Sequence, residues 1–452
     1  MDVPSIAVLG ASGLIGQFIA TELVRAGFPV VPVARRFTAA QKNAFGTRAL
    51  ECPLVALDAQ ALARLLAERR VDLVVNCIGL LQDSGRERAD DVHRGFVARL
   101  LEALAAQAKK PALTPNPIPN LTPLLVHLSI PGSAREDETT FSRTKRQAEG
   151  LIAGAAVPFV ILRPGVVIAS AAYGGSALIR ALAALPLDLP ARESGRPLAV
   201  TDVHDIAGTI AIIARRWRGG ERGWGVVWNI MEPNPSTLGA VIDAFRRRLG
   251  GPRPIGRLPS WLLEAGARAG DLSACLGWRP PIRSTALCEL RRGVKGDPRA
   301  WSAATGIRPA SLETALARLP ATVQERWFAR LYLVKAVVLG SLVIFWAASG
   351  LIALTVAFGA AIAILTSHGF PPALARAITV LSSLGDIGVG VAIAIRKTCR
   401  LGLLAGLAIS LFYMVGAAVL APDLWIEPLG ALVKTGPAFA LMLAALAILD
   451  DR

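Results

Sequence analysis

Three glycines recur near the start of the chain, in Gly10-Ala11-Ser12-Gly13-Leu14-Ile15-Gly16. A glycine-rich turn can hold phosphate oxygens, because bare backbone N–H groups and a following helix N-terminus supply donors and the positive end of a dipole. The spacing is G-x-x-G-x-x-G. Gly10 suits the backbone angles of a tight turn, Gly13 lets the main chain approach a phosphate, and Gly16 lets a helix lie close on a strand. The flanks fit, with apolar Ser5–Leu9 reading as a strand and residues 17–26 as a helix. The expected ligand is a pyrophosphate-bearing dinucleotide. A purely structural strand turn is the alternative.

Further strand ends supply more candidate contacts. Residues 29–33 read as a second strand ending in Arg35 and Arg36, and no Asp or Glu follows until Glu51. In dinucleotide folds an acidic residue there bonds the adenosine ribose, whereas arginine suits the 2′-phosphate of NADP. NADP is therefore expected over NAD, with two arginines on a plain surface turn as the alternative. Residues 54–57 read as a short third strand with Asp58 at its end. A buried strand over 71–77 ends in Asn76-Cys77-Ile78-Gly79, where a crevice ligand would lie. Residues 94–110 form a helix, and the five prolines of 111–123 require an irregular loop. A fifth strand ends at Ser129 and a sixth at Arg163-Pro164-Gly165. Alternating strands and helices imply a doubly wound parallel α/β sheet, the Rossmann arrangement.

Charge and composition split the chain. Hydrophobic residues make up 53%, and the mean hydropathy is +0.49, too apolar for a wholly soluble chain. Residues 331–452 hold seven Lys/Arg and five Asp/Glu, leaving 42 basic and 28 acidic residues in 1–330. The basic residues of this head are scattered and accompany no nucleic-acid-binding signature. They read as a solvated surface near anionic lipid headgroups, with no nucleic acid as partner. Five scattered cysteines form no C-x-x-C pair, and four isolated histidines show no metal-ligand spacing, so neither a disulfide framework nor a metal is expected.

Taken together, the glycine turn, Asn76–Gly79, Ser129, the helix bearing Lys145 and Arg163-Pro164-Gly165 give the head a resemblance to atypical, extended short-chain dehydrogenase/reductases. The similarity is to the branch of the complex I 39-kDa-type subunit, and it covers about residues 1–205. The resemblance implies a Tyr-x-x-x-Lys helix in which Tyr is the proton donor, Lys binds the nicotinamide ribose, and an upstream Ser holds the substrate oxygen. Here the motif reads Phe141-Ser142-Arg143-Thr144-Lys145, with Ser129 twelve residues before Phe141. Ser129 and Lys145 remain the implied catalytic residues, with Lys145 also binding the cofactor. Phe141 has no ionisable group, so the usual acid–base step has no residue there. Tyr173 is the head's only tyrosine and a weak substitute. Pro164 and Gly165 complete the implied cofactor set, and Asp202 is expected to cap the next helix. The segments Leu276-Gly277-Trp278-Arg279-Pro280-Pro281 and Ala300-Trp301 suggest a small substrate-side lobe, in which Trp278 is either a ligand platform or ordinary packing.

The rest of the chain reads as membrane. Arginines and aromatics mix in Arg326-Trp327-Phe328-Ala329-Arg330-Leu331-Tyr332, as at a bilayer interface. The uncharged run 336–367 accommodates one span and a short apolar helix. Spans over 373–395, 401–421 and 429–449 follow. Lys and Arg cluster on one side (Arg326, Arg330, Lys335, Arg396, Lys397, Arg400), so head and C-terminus are expected in the cytoplasm, at the inner (plasma) membrane. Residues 345–351, Gly385-Asp386, 424–430 and Lys434 resemble the four-helix DoxX-like family. Asp386, mid-span, needs a partner or water. Three readings stay open: a structural ion pair with Lys434, a proton or quinone site, and a protonated lone carboxyl.

The expected organisation is a Rossmann domain over 1–215, a small C-terminal lobe and linker over 216–325, and an all-α four-helix transmembrane bundle over 326–452. The expected function is a membrane-anchored NAD(P)-binding oxidoreductase acting on a lipid- or quinone-like substrate. The alternative is a non-catalytic dinucleotide-binding subunit of a membrane complex. Expected partners are the bilayer, such a substrate and membrane-complex subunits.

Overall fold

The computed structural model describes residues 5–83, 87–108, 122–426 and 432–449. Most of the proline-rich 111–123 stretch lies outside them. Seven strands form one sheet: β1 (Ser5–Leu9), β2 (Val30–Ala34), β3 (Leu50–Glu51), β4 (Val71–Asn76), β5 (Leu124–Leu128), β6 (Phe159–Pro164) and β7 (Gly225–Ile230). Their order is β7-β6-β5-β4-β1-β2-β3, and every pairing is parallel. The chain order reverses between β1 and β4, which places a ligand crevice at their carboxyl ends.

Alternation along β1 shows why the sheet is covered on both faces. Ile6 and Val8 pack with α1 (Leu14–Arg25) on one side, while Ala7 and Leu9 pack with α2 (Ala59–Glu68) and α3 (Phe96–Ala108) on the other. The helix α4 (Thr140–Ala153) covers the second face through Ala148 and Ile152. Its start is set by Thr139, whose hydroxyl accepts the Ser142 N–H at 3.1 Å. The helix α5 (Val203–Arg218) covers the first face and is capped by Asp202, which accepts the His204 N–H at 2.9 Å.

Three expectations change. The third strand is Leu50–Glu51, paired to Val33 and Ala34, not 54–57. Pro53 carries no N–H to continue a ladder, and Leu54–Ala56 is a 3-10 turn. The helix expected at 94–110 begins as a π turn, Asp91–Gly95. The boundary at 215 cuts through the sheet, because β7 lies beyond it. Trp301 also belongs to the head's core and donates from its indole nitrogen to Thr209 Oγ1 at 2.9 Å.

By contacts the chain divides into two units. The first is Met1–Asp271 with Pro280–Ala329, and the second is Leu272–Arg279 with Arg330–Arg452. The helix α6 (Ser260–Cys275) begins in the first and ends in the second.

The second unit is helical: α7 (Val323–Leu354, its N-terminal turns in the first unit), α8 (Phe358–Ser367), α9 (Pro372–Ala394), α10 (Cys399–Leu420) and α11 (Thr435–Ala447). Three of them, α7, α9 and α10, are long and apolar enough to cross a membrane. The fourth expected span is shorter among the described residues, where α11 has 13 residues. That is about 20 Å of rise. Small residues let the helices approach, and a Cβ on Gly390 would meet the Ala347 N–H at 2.9 Å. At one end of the unit Lys335 Nζ donates to the Leu449 carbonyl at 2.9 Å, and Arg396 reaches the same oxygen at 3.5 Å. Elsewhere in the unit His368 Nε2 pairs with Asp423 at 2.8 Å.

Candidate functional site

The glycine turn is packed closely against its neighbours. Gly10 has φ +81°, a conformation that a side chain disfavours. The N–H groups of Gly10 and Ala11 both donate to the Val33 carbonyl, at 2.9 and 3.0 Å, which ties the turn to β2. On the other side a Cβ at Gly10 would come within 3.2 Å of Cys77 and Ile78. A Cβ at Gly16 would run into the Gly10 carbonyl. Gly13 is the N-cap of α1, in extended backbone, and no side chain caps the helix. The first-turn N–H groups at Leu14, Ile15 and Gly16 therefore have no intrahelical acceptor, the arrangement that suits an anion. The Ser12 carbonyl is held by Gln41 at 3.1 Å, which fixes the outer side of the turn.

Arg35 and Arg36 follow β2 and are exposed. Arg35 pairs with Glu87 at 2.5 Å. The pairing of β3 with β2 brings Glu51 back beside them, a neighbour that distance in sequence conceals. Its carboxylate accepts the Phe37 N–H at 2.8 Å and Lys42 Nζ at 2.9 Å, and the Phe37 bond chiefly holds its pKa down. Asp58 caps α2, accepting the Ala61 N–H at 2.7 Å.

At the strand ends beyond β1, a second cluster forms around Lys145. Spacing of four on α4 puts Phe141 and Lys145 on one face. Lys145 is buried and donates to the Leu128 carbonyl at 2.9 Å, next to Ser129. A Cβ on Gly79 would stand 3.5 Å from the ammonium, so the 77–79 segment runs directly over it. Burial pushes Lys145 down to about 8 and the Cys77 thiol up to about 12. Ser129 donates its N–H to the Leu162 carbonyl at 2.8 Å. Its hydroxyl is buried beside Glu149 with no polar atom at full hydrogen-bonding distance. Glu149 in turn holds Arg146 and Arg163, at 2.8 Å each. The adjoining Pro164-Gly165 turn is fixed by Thr201 Oγ1, which accepts the Gly165 N–H at 2.8 Å, and a Cβ at Gly165 would collide with the Ala199 carbonyl.

Three residues in this cluster, His93, Thr144 and His127, gave no sequence signal. His93, on the π turn, lies edge-on to Phe141 with ring centroids 5.7 Å apart. Its Nε2 accepts the Leu80 N–H at 3.0 Å, so Nδ1 carries the proton toward Thr144 Oγ1 at 2.8 Å. Burial, aided by the Lys145 charge, pushes its pKa down to about 3. Asn76 accepts the Ile78 N–H at 3.1 Å and reaches His127 Nδ1 at 3.1 Å. Burial keeps His127 neutral as well. His93 thus positions backbone, His127 positions the Asn76 side chain, and both imidazoles stay uncharged. Of the groups gathered here, only Lys145 titrates near neutral pH. Tyr173 stands exposed in its loop and is bonded there through its own backbone to Ser176.

Lys145 sets a measurable pH dependence. The unfolded ammonium loses its proton near 10.5 and the folded one near 8. Below about 8 both states hold the proton, and the cost of burying the charge is constant. Between these values the unfolded chain binds more protons, so stability rises with pH. Lys145→Met should flatten that rise, read as Tm against pH for the two proteins without added nucleotide.

In the second unit Asp386 accepts a hydrogen bond from Tyr413 at 3.0 Å, across α9 and α10. The ion pair with Lys434, one of the three readings, does not form, since Lys434 is exposed at the start of α11 and has no carboxylate at ion-pair distance among the described residues. Ser383, Ser410 and the Trp346 indole are buried in the same bundle without a hydrogen-bond partner. Trp278, expected in a substrate lobe, belongs to this unit instead. Its indole donates to the Ala394 carbonyl at 2.7 Å, which satisfies an orphan group at the end of α9. No cluster of metal-ligating side chains occurs among the described residues.

Residues 6–115 match the model of the NAD dependent epimerase/dehydratase family, and residues 343–443 that of the DoxX-like family. No curated protein matches the chain. Among solved structures it is similar to the Bordetella bronchiseptica enzyme WbmH in complex with NAD+, at 13% identity and TM-score 0.50, covering 73% of this chain and 98% of that one. It is similar to UDP-glucuronic acid 4-epimerase from Bacillus cereus in complex with UDP-glucuronic acid and NAD, at 15% identity and TM-score 0.49, covering 73% and 100%. A third is the human epimerase family protein SDR39U1 with NADPH, at 19% identity and TM-score 0.48, covering 70% and 98%. At such identities the likeness is one of fold. The chain joins an NAD dependent epimerase/dehydratase-type Rossmann domain to a DoxX-like domain of apolar helices.

Proposed function

We infer that the protein is a membrane-anchored oxidoreductase-type protein that binds NADP(H) in its head. The observation that carries this is the uncapped N-terminus of α1, held against the ends of β1, β2 and β4 by Gly10 and Gly16, where a side chain would be strained or collide. NADP over NAD rests on Arg35 and Arg36, the only charges directly after β2, with Glu51 engaged by Phe37 and Lys42. Bound there, the dinucleotide would supply or take a hydride. Lys145 would hold the nicotinamide ribose, and Ser129 would orient a substrate oxygen. With phenylalanine at 141, a proton must come from Lys145 or from water, which favours acceptors such as quinone-like or lipid-like carbonyls dissolved in the adjoining bilayer.

The head and the C-terminus are assigned to the cytoplasmic side of the inner (plasma) membrane. Lys335 and Arg396 meet at Leu449, and the other interfacial cations lie near them in sequence. The pairing of His368 with Asp423 marks the opposite loops, and α11 is the described part of the fourth span expected over 429–449.

A second reading is a dinucleotide-binding subunit without turnover, stabilising a membrane complex. The observation favouring it is that both nitrogens of His93, whose ring lies edge-on to Phe141, are engaged in positioning, so His93 does not replace the phenol as an acid. The test is NADPH fluorescence titration of the detergent-purified full chain, with NADH as competitor, followed by oxidation assays with short-chain quinones and isoprenoid aldehydes. Binding with turnover supports the first reading. Binding with no turnover on any acceptor selects the second, and no binding removes both.

A further inference from the structure

The helix α6 turns apolar side chains outward. Ala267 and Gly270 face inward, and the helix's two acids are engaged, Glu264 by Arg291 at 3.2 Å and Asp271 by Arg283 at 2.9 Å. Trp261, Leu262, Ala265, Ala269 and Leu272 share the other side at spacings of three and four, and all are exposed. Trp261 is 68% and Leu272 69% accessible. A soluble helix would bury such a stripe, at about 25 cal/mol per Å² of apolar surface. Exposed side chains of this size clustered on one face mark a contact surface.

Charge identifies what the surface meets. The exposed charged residues along residues 252–279 are arginines, namely Arg253, Arg257, Arg268 and Arg279. An apolar arc edged by arginine, with its acids turned to internal partners, suits an anionic lipid interface. Continuity points the same way. The last turn of α6 and the loop after it belong to the helical unit, where the Arg396 N–H donates to the Leu276 carbonyl at 3.0 Å. The Arg396 guanidinium also lies 5.3 Å from the centre of the Trp278 ring. Residues 394–400 end one apolar span and begin the next, with Arg396, Lys397 and Arg400 among them, which is the composition of a headgroup boundary.

We propose that α6 is an interfacial helix that lies in the headgroup layer of an anionic bilayer, with Trp261, Leu262 and Leu272 inserted into the acyl boundary. It would hold the head's small lobe on the membrane independently of the transmembrane helices. The proposal rests on the apolar helices residing in a bilayer.

The test places one nitroxide label at a time on the full chain, with the exposed Cys275 and Cys288 replaced by serine. The labelled sites are Leu262→Cys, Leu272→Cys, Leu381→Cys on the exposed side of α9, and Glu68→Cys on α2. The protein is reconstituted in nanodiscs of mixed phosphatidylcholine and phosphatidylglycerol, and collision with oxygen is compared with collision with a water-soluble nickel chelate. Folding of each variant is checked by its thermal unfolding transition. The expected result is oxygen-dominated collision at 262, 272 and 381 and nickel-dominated collision at 68. Oxygen dominance at 381 with 262 and 272 behaving like 68 overturns the proposal. Shielding of 262 and 272 from both reagents also overturns it, because a protein or another part of the chain then covers the face. Nickel dominance at 381 removes the bilayer reading itself, and this proposal with it.

Discussion

Phe141→Tyr is expected to create NADPH-dependent carbonyl reduction at least about 10²-fold above the parent, the lower end of what a positioned general acid contributes. The substitution adds one oxygen at a half-buried ring and keeps the ring's packing against His93. Lys145 lies one turn further along the same helix face, and its charge favours the phenolate, lowering the new phenol's pKa. His93 adds no charge of its own, because burial keeps it neutral. The electrostatics are therefore already those a tyrosine would need. The assay is NADPH oxidation at 340 nm against a panel of small and isoprenoid aldehydes. The double variant Phe141→Tyr with Lys145→Met should lose the gain, and Ser129→Ala should reduce it. A Phe141→Tyr protein that binds NADPH but is no faster than the parent would show that substrate never reaches this crevice.

The parts of this site legible in the sequence are those whose chemistry is local. The turn 10–16 announces itself because three glycines, a strand and a helix are consecutive, and each glycine answers to a neighbour within a few residues or across one strand. The set of Ser129, Phe141 and Lys145 comes from the resemblance, whose Tyr-x-x-x-Lys spacing puts positions 141 and 145 on one helix face. What remained hidden was made by crossovers. His93, His127 and Thr144 come from three different elements, and the bonds that tie the two histidines into the cluster span about fifty residues, as in His93 to Thr144. An isolated histidine carries no periodicity that could announce such a role.

The same reason explains the misassigned third strand. An apolar run at 54–57 looks like a strand, but Pro53 ends the ladder, and only the pairing of Glu51 with Ala34 shows where β3 lies. In the apolar unit, charge suggested Lys434 as the partner of Asp386. The bundle instead supplies a phenol from the neighbouring helix, a bond across 27 residues that no charge count reveals. Trp278 reads as a loop aromatic until the loop is seen to dock on the end of α9.

Gly13→Asp should separate stability from binding, and in opposite directions. Gly13 sits at the N-cap of α1 with φ −78° and ψ 166°, which any L-residue can adopt. A Cβ there meets the Gly10 carbonyl oxygen at 3.3 Å, a tight contact that a few tenths of an ångström relieves. Aspartate is among the best N-cap residues. Its carboxylate would accept an N–H of the first turn and face the positive dipole end, stabilising the helix over glycine by a few tenths to about 1 kcal/mol. The head should therefore unfold at equal or higher temperature. The same carboxylate occupies the anion site and repels a pyrophosphate, so affinity for NADPH should fall at least about 10²-fold, or about 2.7 kcal/mol. Differential scanning fluorimetry without nucleotide, paired with NADPH titration, reads both effects on one preparation. A less stable protein with unchanged affinity would mean that the turn is structural and that the dinucleotide, if bound, lies elsewhere. A protein of equal or higher stability that no longer binds ties the α1 N-terminus to the pyrophosphate, because loss of fold cannot explain the result.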